Sequence, residues 1–257
     1  MMVHSTASID PAAELGEDIF VGPFAVIEAG AKIGNGSRIE GHAQVLGSVT
    51  LGEGCLVGQG TILGGNPQDL SFDPATPSRV VVGNNTTFRE HVTIHRSTQE
   101  GGETVIGSDN FFMVGTHAGH DCIIGDGNVL ANQVMLAGHV HLGSHTFLGG
   151  GSGFHQFIRI GDRCMVKGNS GISKDIPPFT VVSDYNVMRN LNSVGLRRAG
   201  VSAAARANLK EAFHLIMLKG LSLEESLQEA ETGEWEAEAK QFIDFFRAES
   251  KKGICRR

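Results

Sequence analysis

The stretch IGSDNFFMVGTHAGHDCIIGDGNVLANQVMLAGHVHL, residues 106–142, returns to an apolar residue at every sixth place: Ile106, Phe112, Ala118, Ile124, Leu130, Leu136 and Leu142. The row continues through Leu148, Phe154, Ile160 and Val166 to Ile172. Upstream it runs from Val3 through Ile9, Leu15, Val21, Ile27, Ile33, Ile39, Val45, Leu51 and Val57 to Leu63, and Val82, Phe88 and Ile94 form a short run between. Two places before most members stands a small or β-branched residue, such as Ala25, Ala31, Ser37, Ala43, Cys55, Thr116, Cys122, Thr146 and Cys164. Alternate residues of a strand face one side, so the bulky and the small row share an interior. Glycine follows the bulky row at many steps, including Gly16, Gly34, Gly125 and Gly143, where a tight corner is needed. A repeat of this length predicts a solenoid, here an all-β parallel β-helix whose 18-residue triangular coil is marked by Ile106, Ile124, Leu142 and Ile160. Roughly eight coils at ~4.8 Å each make a column on the order of 40 Å tall. Its flat outer faces favour self-association.

Two segments leave the period. Residues 64–79, GGNPQDLSFDPATPSR, hold three of the seven prolines and read as a loop departing from the column. Residues 96–103, RSTQEGGE, place Glu100 where an apolar residue is due and form a smaller excursion. Loops on rigid scaffolds commonly carry function. The pattern stops after Ile172 and Pro177-Pro178 closes it, giving a column over 1–186 and a helical domain over 187–257. In that tail Ser202 caps a helix through Lys210 to Leu218, with a stripe of Ala205, Leu209, Ala212, Phe213 and Ile216. Ser222 with Glu225 spells a capping box, and a third helix lies near Trp235–Phe246.

Composition narrows the function. A net charge of −7 argues against general nucleic-acid affinity. No apolar stretch approaches the ~18 residues of a membrane span, and the N-terminus lacks a signal-peptide core. Cys55, Cys122, Cys164 and Cys255 show no C-x-x-C pairing and read as reduced thiols of a cytoplasmic protein.

Eight of the eleven histidines, His91, His95, His117, His120, His139, His141, His145 and His155, fall within 65 residues. None lies on the bulky or the small row, so all belong to outer faces or corners. Eighteen residues past His120 stands Gly138, followed by His139. A glycine one coil above an imidazole presents an open backbone N–H beside a base, a geometry suited to acyl transfer through a general base and an oxyanion donor. Asp121 is placed to set the tautomer of His120. The histidine spacings match no strong metal-ligand pattern and no cysteine joins them, so no metal is expected.

Several separated motifs resemble the bacterial UDP-N-acetylglucosamine acyltransferases of lipid A synthesis: PQDL at 67–70, REHVTIHR at 89–96, HAGHDC at 117–122, LAGH at 136–139, HQF at 155–157, DIPPF at 175–179 and LNSVGLRR at 191–198. The resemblance implies a left-handed coil and a homotrimer with sites between subunits. It implies transfer of a (3R)-3-hydroxyacyl chain from the phosphopantetheine thioester of acyl carrier protein to the 3-position of the UDP-sugar, without a further cofactor. It makes His120 the general base, Asp121 its support and the Gly138 N–H the oxyanion donor. Gln68 and Asp69 would meet the glucosamine, His117 and His139 would line the same pocket, Gln156, Asn192 and Arg198 would hold the nucleotide end, and His155 is a further candidate for binding substrate. A small residue matching Gly168 is associated with acyl length, although Lys167 precedes it where a second small residue is common, and Asn190 stands where glycine is usual. The basic cluster Arg197-Arg198, Arg206 and Lys210 is a candidate dock for the acidic carrier. No nucleic acid or stable membrane insertion is implied.

Three other readings share the scaffold: a metal-dependent hydrase, a non-catalytic assembly protein, and N-acylation of a 3-amino UDP-sugar. The related enzyme that N-acylates the next glucosamine intermediate normally carries an extra N-terminal domain, whereas here hexads begin at Val3.

Overall fold

The computed structural model describes residues 1–256. Short strands, most of two residues, alternate with corners and stack in parallel onto the strand one coil below. Ile106 pairs with Ile124, Ile124 with Leu142, and Leu142 with Ile160, which is the 18-residue coil. Three sheets of eleven, nine and eight strands form the faces of a triangular column. From Val21 to Ile172 the bulky row is buried, and the first coil, with Val3 exposed, ends the column open to solvent.

The small row is where the polar interior sits. Asn110 Oδ1 accepts the N–H of Asn128 at 2.9 Å, Asn128 Oδ1 that of Thr146 at 2.8 Å, and Thr146 Oγ1 that of Cys164 at 3.0 Å. Each corner thereby supplies an acceptor for a backbone N–H that would be orphaned in the core. The third residue of many corners is left-handed, which suits Asn and Asp best but here also holds Phe24, His139 and Phe157. Cys55, Cys122, Cys164 and Cys255 are free and buried.

The column does not end where the hexads do. Pro177-Pro178 occupy a corner, which needs no ladder N–H, and Thr180–Ser183 then pairs in parallel with Met165–Val166. Val187–Leu191 returns antiparallel beside it, so this last strand lies past residue 186. A short helix absent from the sequence reading, α1 (Ser193–Arg198), follows. Then come α2 (Ala203–Met217), capped by Ser202, α3 (Leu223–Ala230), opened by the Ser222/Glu225 capping box, and α4 (Ala237–Arg247). In the stripe of α2, Leu215 is buried where Ile216 was expected, and Ile216 packs at the edge. Phe213, Phe242 and Phe246 knit α2 to α4. No helix of the described residues is long and apolar enough to cross a membrane.

Candidate active site

The corner that follows the nine-strand face repeats over three coils as 119–122, 137–140 and 155–158. Its second position holds His120, Gly138 and Gln156, and its third Asp121, His139 and Phe157, all three left-handed, with φ of +60°, +59° and +68°. The turn at Asp121 is tight enough for adjacent side chains to meet: His120 Nδ1 lies 2.7 Å from Asp121 Oδ2. Ser97 Oγ donates to the other carboxylate oxygen, Thr98 donates to Oδ2 through Oγ1 at 2.7 Å and N–H at 3.2 Å, and Thr104 Oγ1 accepts the Asp121 N–H at 2.8 Å. Burial pushes the Asp121 carboxyl up, but the bonds from Ser97, Thr98 and His120 together outweigh it and hold it below the usual carboxylate range. An ionised carboxylate at Nδ1 fixes the Nδ1–H tautomer and leaves Nε2 of His120 as the basic atom.

Gly138 lies directly over that ring. A Cβ there would stand 2.5 Å from His120 Cε1 and 2.6 Å from Nε2, so only glycine leaves the imidazole its place. The N–H of Gly138 makes no hydrogen bond among the described residues. Base and open donor border a cleft of about 440 Å³ that also takes in Gln68, His95, His117 and Gln156. A larger hollow of about 680 Å³ beside Trp235 in the helical tail has no comparable constellation.

The two excursions build one wall of the cleft, and Arg96 joins them. Its Nε donates to Asn66 Oδ1 at 3.0 Å, its Nη2 to Pro74 O at 2.7 Å, and its guanidinium covers the Phe72 ring at 4.9 Å. Gly101 N–H donates to Pro77 O at 2.7 Å. This clamp brings Gln68 to the cleft. Asp69 stays exposed at the loop tip, where the Ser71 N–H and hydroxyl hold its carboxyl low, with a smaller pull from His120.

His117 is held by Thr93 Oγ1 at 2.8 Å and packs edge-on against His95 with ring centres 4.7 Å apart. Burial, then the charges of His117 and His120, push His95 down to about 4. His139 stands edge-on to His120 at 5.0 Å and 3.6 Å from Asp121 Oδ2, and burial holds it below its ordinary value. His155 is exposed at the adjoining corner position. Gly168, Asn192 and Arg198 do not reach this cleft within one chain. Gly168 lies at a different corner, against Gly150. Asn192 caps α1 by accepting the Gly195 N–H and donates to Arg163 O, and Arg198 is exposed at the end of α1.

His95, Ser97 and Thr98 were missed as site residues by the sequence reading, although its second excursion contains the latter two. Their signal is the break in period itself, which drops two hydroxyls beside Asp121. His120, Asp121 and His139 also offer metal-type donor atoms within 4.8 Å of one another. The carboxylate is already committed to Ser97, Thr98 and His120, a donor set that fits an orienting network better than a metal ligand.

Residues 30–65 and 103–138 match the bacterial transferase hexapeptide model, and 175–255 match domain 2 of UDP-N-acetylglucosamine O-acyltransferase. The chain is 40% identical over 257 residues to the acyl-[acyl-carrier-protein]–UDP-N-acetylglucosamine O-acyltransferase of Thermodesulfovibrio yellowstonii, covering 99% of each. Among solved structures, the UDP-N-acetylglucosamine acyltransferase of Francisella novicida matches with TM-score 0.95 and 31% identity, over 100% of this chain and 94% of that one. That of Campylobacter jejuni matches with TM-score 0.93 and 35% identity, over 99% of both. The likeness makes the column a left-handed parallel β-helix with C-terminal helices. With this identity along nearly its whole length, the chain belongs to the acyl-[acyl-carrier-protein]–UDP-N-acetylglucosamine O-acyltransferase family.

Proposed function

We propose that this chain transfers a (3R)-3-hydroxyacyl group from acyl carrier protein to the 3-hydroxyl of UDP-N-acetylglucosamine, the first step of lipid A synthesis. The observation that carries it is the His120–Asp121 pair beneath the unpartnered N–H of Gly138 in one cleft. Nε2 of His120 takes the proton of the sugar hydroxyl as its oxygen attacks the thioester carbonyl. The negative charge that develops on the carbonyl oxygen is met by the Gly138 N–H. Collapse breaks the C–S bond, and the imidazolium returns its proton to the departing thiolate. A positioned base contributes roughly 10²–10⁴-fold and one oxyanion donor about 3–4 kcal/mol. Gln68 and Asp69 meet the sugar, His117, His139 and His155 shape the pocket, and Gln156 faces the nucleotide end. The chemistry needs no resident cofactor, because the carrier's thioester brings the acyl group.

The assembly is a homotrimer. Ile123, Met135, Phe147 and Met165 expose apolar side chains on the flat outer faces, a pattern that association would cover. Gly168, Asn192 and Arg198, remote from the cleft of their own chain, would then serve the neighbouring one, with Gly168 setting acyl length and the other two holding the nucleotide. Buried, free thiols suit the cytoplasm. The relatives' names specify O-acylation, which favours the ester over the amide of a 3-amino sugar.

The test is mass spectrometry of one competition reaction holding UDP-N-acetylglucosamine, its 3-amino analogue and 3-hydroxyacyl carrier proteins of several lengths. One dominant ester of UDP-N-acetylglucosamine is expected, lost with His120→Ala while circular dichroism and subunit number are kept. Product formation by the variant at the wild-type rate would sink the mechanism, and a dominant amide would move the acceptor.

A further inference from the structure

Beyond α4 the chain returns to the column as a strap, residues 248–256. It is tied down through backbone bonds: Asp175 N–H donates to Gly253 O at 2.8 Å, Cys255 N–H to Asp175 O at 2.9 Å, and Met188 N–H to Arg256 O at 2.9 Å. The Cys255 side chain is fully buried. This anchoring sets Lys251 and Lys252 over the corner that carries the active site. Both Nζ atoms lie 5.7 Å from the centre of the Phe157 ring. Phe157 stacks on His139 with ring centres 4.4 Å apart and planes 11° apart, and His139 meets His120.

Two features mark the place as more than solvated surface. With one ring face taken by His139, two ammonium groups crowd the remainder, and neither forms an ion pair among the described residues. Asp175, to which the strap is bonded, holds Arg159 at 2.8 Å, and Glu249, two residues before Lys251, forms no ion pair with either lysine among the described residues. A chain of net charge −7 thus keeps two uncompensated cations at the rim of its cleft, poised for an anion.

We propose that Lys251 and Lys252 form a phosphate-binding rim that takes the phosphodiester of the acyl donor's phosphopantetheine arm as it enters the cleft. The proposal rests on the acyl-transfer reading above. The nucleotide end of the acceptor is assigned above to Gln156 and to Asn192 and Arg198 of the neighbouring chain, which leaves the two lysines for the donor's phosphodiester. The lysines stand three contacts away, where the far end of a flexible thioester arm would lie.

The test compares wild type, Lys251→Ala/Lys252→Ala and the Lys251→Arg/Lys252→Arg pair, with Lys240→Ala on α4 as a remote control. Equilibrium binding of an S-acyl phosphopantetheine is measured beside its dephosphorylated form. The alanine pair should bind the phosphorylated arm about tenfold more weakly, the size of one charge-assisted contact, and the dephosphorylated arm as wild type does. KM for acyl carrier protein should rise by a similar factor, KM for the sugar nucleotide should stay, and the arginine pair should keep wild-type binding. Equal affinity of wild type and the alanine pair for the phosphorylated arm would overturn the proposal, as would a loss confined to UDP-N-acetylglucosamine. Because the binding arm needs no turnover, an enzyme inactive with every donor would sink the acyl-transfer reading separately.

Discussion

His95 shows how a single side chain can depart from its ordinary chemistry without being visible as a site residue. It ends the strand Thr93–His95, paired with Gly65 just past an irregularity in the neighbouring strand, is pressed against His117, and its Nδ1 is buried with no partner. Burial first, and neighbouring positive charge second, bring it from 6.5 to about 4. A base whose folded value is lowered takes up its proton more readily in the unfolded chain. Its contribution to stability is therefore complete above about pH 6.5 and is lost as pH falls towards about 4, below which this group adds no further loss. Urea unfolding at a series of pH values should show a steeper decline across that window for wild type than for His95→Phe. Parallel profiles would mean that His95 is not held neutral by the fold. His120 and Asp121, by contrast, were legible as neighbours in HAGHDC. Their contact depends on the left-handed backbone at Asp121, the conformation that the third corner position takes along the column.

At the scale of elements, two-residue strands cannot stabilise themselves, so each rung depends on those above and below. The Asn110–Asn128–Thr146 ladder carries part of that burden. Asn128 accepts from Thr146 N–H and donates through Nδ2 to Gly125 O at 3.1 Å and Gly143 O at 2.9 Å. Asn128→Val would strand the Thr146 N–H in the core, at a cost of about 1–3 kcal/mol. Chemical unfolding should show that loss, while the exposed Asn132→Ala should stay within about 0.5 kcal/mol of wild type. A neutral Asn128→Val would show that the corner relaxes to another acceptor. The two excursions depend on the same logic of partners. Arg96 looks like a charged residue of a strand-end motif, yet it is the guanidinium that holds the proline-rich loop against the column.

At the scale of the whole molecule, the cleft of one chain is half a site under the trimer reading. Co-refolding two inactive variants separates the possibilities. His120→Ala supplies an intact Arg198 and Arg198→Ala an intact His120, so mixed trimers should regain measurable turnover if the site spans two chains. Sedimentation should give three times the 27.3 kDa chain. No recovery from mixed trimers would place Arg198 outside the neighbouring site.

The hexad row determined the coil, its 18-residue repeat and the interior side of every strand up to Ile172, because one face of a two-residue strand must be apolar for rungs to stack. Capping residues fixed the starts of α2 and α3 for an equally local reason, the need of their first N–H groups for acceptors. Only the tertiary structure decided what meets across coils and loops: Ser97 and Thr98 on Asp121, Arg96 on the proline-rich loop, and Lys251 and Lys252 on Phe157. It also decided that the column outlasts its repeat, through Thr180–Ser183 and Val187–Leu191. These contacts join segments up to about a hundred residues apart, and such pairings depend on how the excursions and the tail fold back, which a local period does not encode.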